Sequence, residues 1–355
     1  MENNYFIFTE KTNKNGLERF HICTWEFKDN SALIEFGGEI KDAFDIVDER
    51  VTLMFYIPWI SSNHLIVDLY DKLKESENSR FIFNDSLSGH EFLDGGQKKN
   101  GVIQKFENRD PLCMIPIESS IDCATKIVSI SINIKNLKTI ERIDKTSLYF
   151  RFYIEPKIDL LSTRKTGISR STIIYDLKVN ERRNLPEDSM IDFNELKLCN
   201  IKACFAFNIL PNSYDLTFFD SSTLKNIRTL EFDSFKKYLG DNRVKKDELV
   251  VVFNKKEKQD SYAFFSIFSK ERIGAGQFAL AVLVNLICGI LLFIPSFRQN
   301  LNVEVISKTF WKNLPFEVYL SIAIGLIIVS YFIWPRISYI IQVLVSYVKK
   351  KNSTK

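Results

Sequence analysis

Short apolar runs with a two-residue alternation recur along the first 270 residues, and two long uncharged runs follow them. YFIFTE at 5–10, RFHICTWEF at 19–27, ALIEFGGEI at 32–40 and VTLMFYIP at 51–58 open the series. KIVSISINI at 126–134, SLYFRFYIEP at 147–156, STIIYDLKV at 171–179, NIKACFAFNIL at 200–210, LVVVFN at 249–254 and SYAFFSIF at 261–268 continue it. SISINI and LYFRFYI alternate cleanly, which is the pattern of a strand with one wet and one buried face. Helical pattern is sparse, with HLIVDLYDKLKES at 64–76 the best case and FDSFKKYLG at 232–240, ending at Gly240, a shorter one. The expected fold is a mainly β (α+β) cytosolic region of antiparallel sheets with few helices. The polar stretch LKTIERIDKT at 137–146 divides a β-rich domain at 1–140 from a second β-rich domain or subdomain at 145–270, one continuous domain being the alternative.

The uncharged runs carry a different message. Between Arg272 and Arg298 lie 25 residues without a charge, and VYLSIAIGLIIVSYFIWP lies uncharged between Glu317 and Arg336. A helix over the first spans about 30 Å, the thickness of a bilayer core, and the second is within spanning length. The reading is a transmembrane helical hairpin at 274–334, followed by an amphipathic, basic cytoplasmic tail at 335–355. Lys255, Lys256, Lys258, Lys270 and Arg272 precede the first span; Arg336, Lys349, Lys350, Lys351 and Lys355 follow the second. The loop between them holds only Arg298, Lys308 and Lys312, so the bias in basic residues places both termini in the cytoplasm of a multi-pass plasma-membrane protein. Arg336, Lys349, Lys350 and Lys351 are the expected contacts to anionic headgroups of the inner leaflet.

Within the spans, Ala281, Asn285 and Gly289 recur at i, i+4 and i+8, and Ser321 and Gly325 repeat the spacing. Small and polar residues on one helix face let backbones approach in lipid. Two readings stand: packing within one hairpin, or self-association of copies with Asn285 inside an oligomer or pore.

Charge follows the same division. Residues 271–355 hold nine Lys/Arg against three Asp/Glu, so the other 270 carry 39 basic and 41 acidic groups, a balance of −2. The overall +4 is therefore no nucleic-acid signal, and no direct nucleic-acid contact is expected. The six cysteines form no CxxC pair and read as reduced thiols. His21, His64 and His90 are scattered, and no metal, nucleophile or phosphate-loop motif is present, so no catalytic residue, metal or cofactor is assigned. The glycine pairs in GGEI at 37–40 and DGGQKK at 94–99 read as turns. Asp85, His90 and Glu91 share one polar stretch without a nucleophile, and Cys23 beside His21 reads as a core thiol. The one cationic stretch, 163–183, offers Arg164, Lys165, Arg170, Arg182 and Arg183 as a candidate anion-binding surface for anionic lipid headgroups, a nucleotide ligand or an acidic partner protein, a solvated face being the alternative.

In domain order and in its last 80 residues the chain resembles the transmembrane effectors of bacterial and archaeal antiviral systems, nearest in arrangement to those associated with prokaryotic Argonaute proteins. That resemblance implies a non-enzymatic abortive-infection effector. A sensor partner, Argonaute-like or another nucleic-acid sensor, detects the invader; the chain assembles as a homo-oligomer and disrupts or depolarises the inner membrane. A membrane-tethered binding or signalling domain with the hairpin as passive anchor, and a membrane-bound enzyme with an unrecognised site, are the alternatives.

Overall fold

The computed structural model describes residues 3–330 apart from 12–15, 94–99, 144, 168–169, 186–195, 221, 223, 247–248, 272–274, 300–315 and 317. In chain order the first strands are β1 (Asn4–Glu10), β2 (Leu17–Glu26), β3 (Ala32–Ile40), β4 (Arg50–Tyr56), β5 (Val67–Asp68) and β6 (Leu87–Phe92). β7 (Val102–Phe106), β8 (Leu112–Met114), β9 (Ile117–Asp122), β10 (Ile127–Asn133), β11 (Ser147–Ile154), β12 (Thr163–Thr166) and β13 (Arg170–Val179) follow. β14 (Leu196–Leu198), β15 (Ile201–Pro211), β16 (Asp215–Phe219), β17 (Leu224–Thr229), β18 (Leu249–Glu257) and β19 (Tyr262–Glu271) complete them. The helices are α1 (Tyr70–Leu73), α2 (Ser76–Phe83), α3 (Lys135–Lys138), α4 (Phe232–Leu239), α5 (Ala275–Gln299) and α6 (Val318–Ser330).

Each apolar run of the sequence is a strand, and the strands form two mixed sheets. The nine-stranded sheet runs β16-β19-β13-β1-β4-β10-β9, with β12 beside β13 and β14 beside β1. The ten-stranded sheet runs β17-β18-β15-β2-β3-β11-β8-β7-β6, with β5 beside β11. The expectation of antiparallel sheets is corrected at three places: β1 with β13, β2 with β15 and β8 with β11 are parallel pairs. Two of these join the N-terminal strands to the C-terminal ones in the interior of both sheets. Residues 1–140 and 145–270 therefore do not fold as separate bodies, and Met1–Gly167 with Ser171–Lys270 forms one compact unit. The polar stretch at 137–146 covers the end of α3 and the link into β11.

One buried cluster lies between the sheets, with Phe20, Phe36, Phe150 and Phe152 from one and Tyr5, Phe55 and Ile130 from the other. Phe36, Phe55 and Phe152 meet with ring centroids 5.3–5.9 Å apart. Burying each such ring contributes about 1.5–3 kcal/mol. A second cluster, on the other face of the ten-stranded sheet, joins Trp25, Leu33 and Ile209 to Leu73 of α1 and Tyr238 of α4.

Two local expectations are corrected. The helix read at 64–76 is instead the short strand β5, the single turn α1 and the start of α2. The reason is Asp68, whose carboxylate accepts the backbone N–H of Tyr70 and of Ile117, pinning the chain to the sheet before a helix can begin. Gly37 and Gly38 form no turn but lie inside β3, because a Cβ on Gly38 would meet the Phe150 ring at 2.6 Å and one on Gly37 the Tyr149 hydroxyl at 3.0 Å. The pair DGGQKK lies outside the described residues. Gly240, at φ 70°, caps α4 as its position predicts.

The second unit contains α5 and α6. The 18 residues Gly276–Phe293 of α5 are apolar enough to cross a membrane, with mean hydropathy 2.2, and none of that stretch is buried. The described part of the second apolar run, α6, is shorter than a full crossing. The tail at 335–355, with Arg336, Lys349, Lys350 and Lys351, lies outside the described residues.

Candidate ligand pocket

Strand alternation sends every second residue of the ten-stranded sheet away from the inter-sheet core, and on that outer face chemistry gathers. Register places Lys255, Phe205, His21, Gly37 and Arg151 in one row across β18, β15, β2, β3 and β11. The next row holds Phe253, Phe207, Cys23, Glu35 and Tyr153; on the other side Arg19, Glu39 and Tyr149 align. The C-terminal turn of α2, with Phe81, Ile82 and Phe83, and Asn84 in the left-handed region at φ 50°, borders the space above.

The result is a cavity of about 360 Å³ whose lining includes Arg19, Arg109, Arg151 and Arg228, with His21, Tyr149, Phe205, Phe207 and Phe253. Among the described residues no Asp or Glu lines it. Carboxylates stand behind the arginines instead. Arg151 donates through Nε to the fully buried Glu35 at 2.7 Å, and Glu35 also accepts from Trp25 Nε1 at 2.8 Å and Tyr238 Oη at 3.2 Å. Burial works against the Arg151 charge, and Glu35 more than restores it, so the guanidinium stays protonated. Arg109 donates to Glu39 at 2.9 Å while Arg19 approaches the same carboxylate at 3.8 Å. Two guanidinium groups therefore share one carboxylate. Arg228 pairs with Glu231 at 3.1 Å on the exposed rim.

The aromatic side is ordered. Phe207 and Phe253 stack at 4.7 Å with 4° between planes, Phe205 and Phe253 at 6.0 Å with 9°, and His21 lies 4.9 Å from Phe205. Arg109 sits over the Phe83 ring at 4.9 Å, a cation–π contact that fixes its plane. Burial, and then Arg151, Arg19 and Arg109, hold the His21 imidazole well below its usual range, so it is neutral at pH 7. Among the described residues, three polar atoms of this lining are buried and find no hydrogen-bond partner: His21 Nδ1, Arg109 Nε and the Tyr149 hydroxyl. Most buried polar atoms in folded proteins are paired, so three orphans on one cavity need an explanation.

The residues singled out from the sequence lie elsewhere. Arg164 is spent on the buried Glu26, which also accepts the Ser162 hydroxyl at 2.7 Å. Lys165 is exposed on β12, and Arg183 pairs with Glu181 at 3.0 Å. Arg170 opens β13, while Arg182 lies beyond its other end, and the strand between them is about 30 Å long at roughly 3.3 Å per residue. The structure does not bring these five together around one anion. Asp85 holds Asn108 through its backbone N–H and its amide, while His90 and Glu91 are exposed on β6, so the three do not converge. Cys23 is buried in the outer-face cluster, burial pushing its thiol up, and all six cysteines are unpaired. On α5, Ala281, Asn285 and Gly289 are exposed; on α6, Ser321 and Gly325 are half-buried.

No single run of sequence encodes the pocket; its signal is the polar positions alternating within apolar strands, Arg19 and His21 on β2, Glu35, Gly37 and Glu39 on β3, and Arg151 on β11. Their aromatic neighbours Phe205, Phe207 and Phe253 come from β15 and β18, far away in sequence.

No known protein family matches the sequence, and no curated protein does. Among solved structures, a candidate protease from Parabacteroides distasonis ATCC 8503 is similar over 77% of this chain, with 11% identity and a TM-score of 0.30. The chain spans 43% of that protein's length.

Proposed function

We propose that this chain is a membrane-anchored effector in which the β-rich unit senses a signal and the apolar helices act on the bilayer. The observation that carries the reading is α5: Phe278, Leu280, Val284, Ile287, Leu291 and Leu292 are all exposed on a helix long enough to cross. A core helix of a soluble domain would be covered by protein; this one needs lipid. Three residues separate the end of β19 from the start of α5. The second apolar run then completes a hairpin with both termini in the cytoplasm, as the ten-to-three bias in basic residues favours. In the antiviral setting that the architecture resembles, a nucleic-acid sensor supplies the trigger, and assembled hairpins depolarise the inner membrane.

The experiment is expression of the full chain and of a variant ending at Lys270, with membrane potential and viability followed in cells carrying an activated sensor partner. Depolarisation only by the full chain is the expected result. Equal potential in both, with both proteins expressed, would return the hairpin to a passive anchor.

A further inference from the structure

We propose that the pocket on the outer face of the ten-stranded sheet binds a mononucleotide, with its base against Phe205, Phe207 and Phe253 and its phosphate at Arg19 and Arg109. This deepens the sensor half of the reading above by naming the ligand class, and the binding itself is tested separately from any membrane effect.

Charge comes first. Among the described residues, Glu39 is the one carboxylate that Arg19 and Arg109 share and none lines the cavity, which leaves one positive charge beside it. An anion restores the balance, and guanidinium forks suit phosphate oxygens. The Arg19 side chain is 45% exposed and free to swing, whereas Arg109 is held at 16% exposure with its Nε–H unused. A phosphate oxygen accepts from that N–H and from the Tyr149 hydroxyl. His21 is neutral, so its ring offers one donor and one acceptor, which matches a ribose hydroxyl that can both give and take.

Phosphate alone leaves half of the cavity unexplained. Three phenylalanine rings on adjacent strands stand parallel with no polar atom to offer, half-buried against solvent. A flat base extends such a wall, as bases do on aromatic side chains in nucleic-acid binding proteins. Asn84 and Asn226 supply amides at the pocket for the base edge. Gly37 leaves room for Tyr149 and Arg151 of the lining, which any side chain there would meet. At about 360 Å³ the cavity is near the lower end of the roughly 300–1,000 Å³ range of small-molecule sites. That size takes one nucleotide and does not house a strand of them or a pair of acyl chains.

The test is calorimetric titration of the full-length chain in detergent micelles with AMP, GMP and UMP. Adenosine, inorganic phosphate, dihexanoyl-phosphatidylglycerol and a deoxyadenosine hexamer are the comparison ligands. At least one mononucleotide is expected to bind about tenfold or more tightly than phosphate and than the nucleoside, because base and phosphate both contribute. Phe253→Leu should weaken the mononucleotide about tenfold and leave phosphate binding unchanged. Arg19→Gln, at an exposed position that the fold tolerates, should weaken both; Arg109→Gln should do so more strongly if the thermal midpoint shows it folded. Equal binding of phosphate and mononucleotide, preference for the lipid or for the hexamer, or indifference to both Phe253→Leu and Arg19→Gln would each overturn the assignment. Mononucleotide binding with no depolarisation in cells keeps this inference and removes the effector reading; depolarisation by a chain that binds no mononucleotide does the reverse.

Discussion

Arg151 and Glu35 form a buried ion pair, Nε to Oε2 at 2.7 Å, on the sheet face that carries the pocket, whose lining includes Arg151. Glu35 has no exposed side-chain surface, and its three donors come from β2, β11 and α4. Arg151→Met leaves that carboxylate buried without its cation and should cost about 3–5 kcal/mol. The double variant Arg151→Met with Glu35→Gln should recover a large part, because the neutral amide no longer needs a counter-charge. Thermal unfolding of the full chain in detergent, followed by tryptophan fluorescence, checks both. A double variant no more stable than the single would mean that the cost is lost packing and not an orphaned charge.

Gly38 and Gly89 make opposite predictions for the same substitution. Alanine at 38 places its methyl 2.6 Å from a Phe150 ring carbon in the packed core, so overpacking should destabilise by about 1–3 kcal/mol. Nothing lies within 4 Å of a Cβ on Gly89, where alanine should change stability by less than about 0.5 kcal/mol. Comparison of the two midpoints under one denaturant gradient decides it.

Asp68 gives the fold a pH dependence of definite sign. Burial raises its carboxyl to about 6, against the N–H groups of Ile117 and Tyr70, which pull it down. The folded chain therefore binds this proton more tightly than the unfolded chain, where a carboxyl titrates near 3.9. The resulting stabilisation is fully present below about pH 4 and is lost as pH rises through about 6, amounting to at most about 3 kcal/mol. Asp68→Asn should flatten the stability difference between pH 4.5 and pH 7 relative to the parent chain. An unchanged slope in the variant would assign the pH dependence to other carboxyls.

On the two apolar helices, the Cδ1 atom of Leu283 lies 3.5 Å from where a Cβ would stand on Gly325, while a Cβ on Gly289 meets nothing within 4 Å. Gly325 therefore packs against α5, and Ala281, Asn285 and Gly289 are left exposed. A cysteine pair at 283 and 325 should form an intramolecular disulfide in membranes. Asn285→Leu should leave that disulfide intact and weaken crosslinking between copies, since an amide in lipid seeks another helix at about 0.6–2 kcal/mol per contact. Crosslinking equal to the parent's would show that the exposed face does not mediate assembly.

Much of the sandwich is legible in single runs of sequence. RFHICTWEF and SLYFRFYIEP announce β2 and β11 because alternation is local and buried faces are apolar. Strands β6, β9, β16 and β17 are hidden, since they are short and largely exposed and take their conformation from neighbours already in place. Parallel pairing of β1 with β13 and of β2 with β15 has no local signature at all. The pocket depends on that pairing: Phe205 reaches His21, and Phe207 reaches Cys23, only because β15 lies against β2. Arg164 illustrates the converse. Its local surroundings read as a solvated cationic loop, yet a glutamate at the end of β2 takes its charge.

The parallel pairs also set an order of events during synthesis. Asn4 finds its partner only when Lys178 exists, and Ile22 only when Ala206 does. The N-terminal strands must therefore wait, with their β1 and β2 edges open, until most of the sandwich has been translated, a demand that favours slow folding and help from chaperones. Among the described residues β19 is the last strand to arrive, and α5 begins three residues later. The long apolar helix is thus made after the two sheets have the strands they need. A ribosome carrying this chain delivers a foldable β-rich body before it delivers that helix.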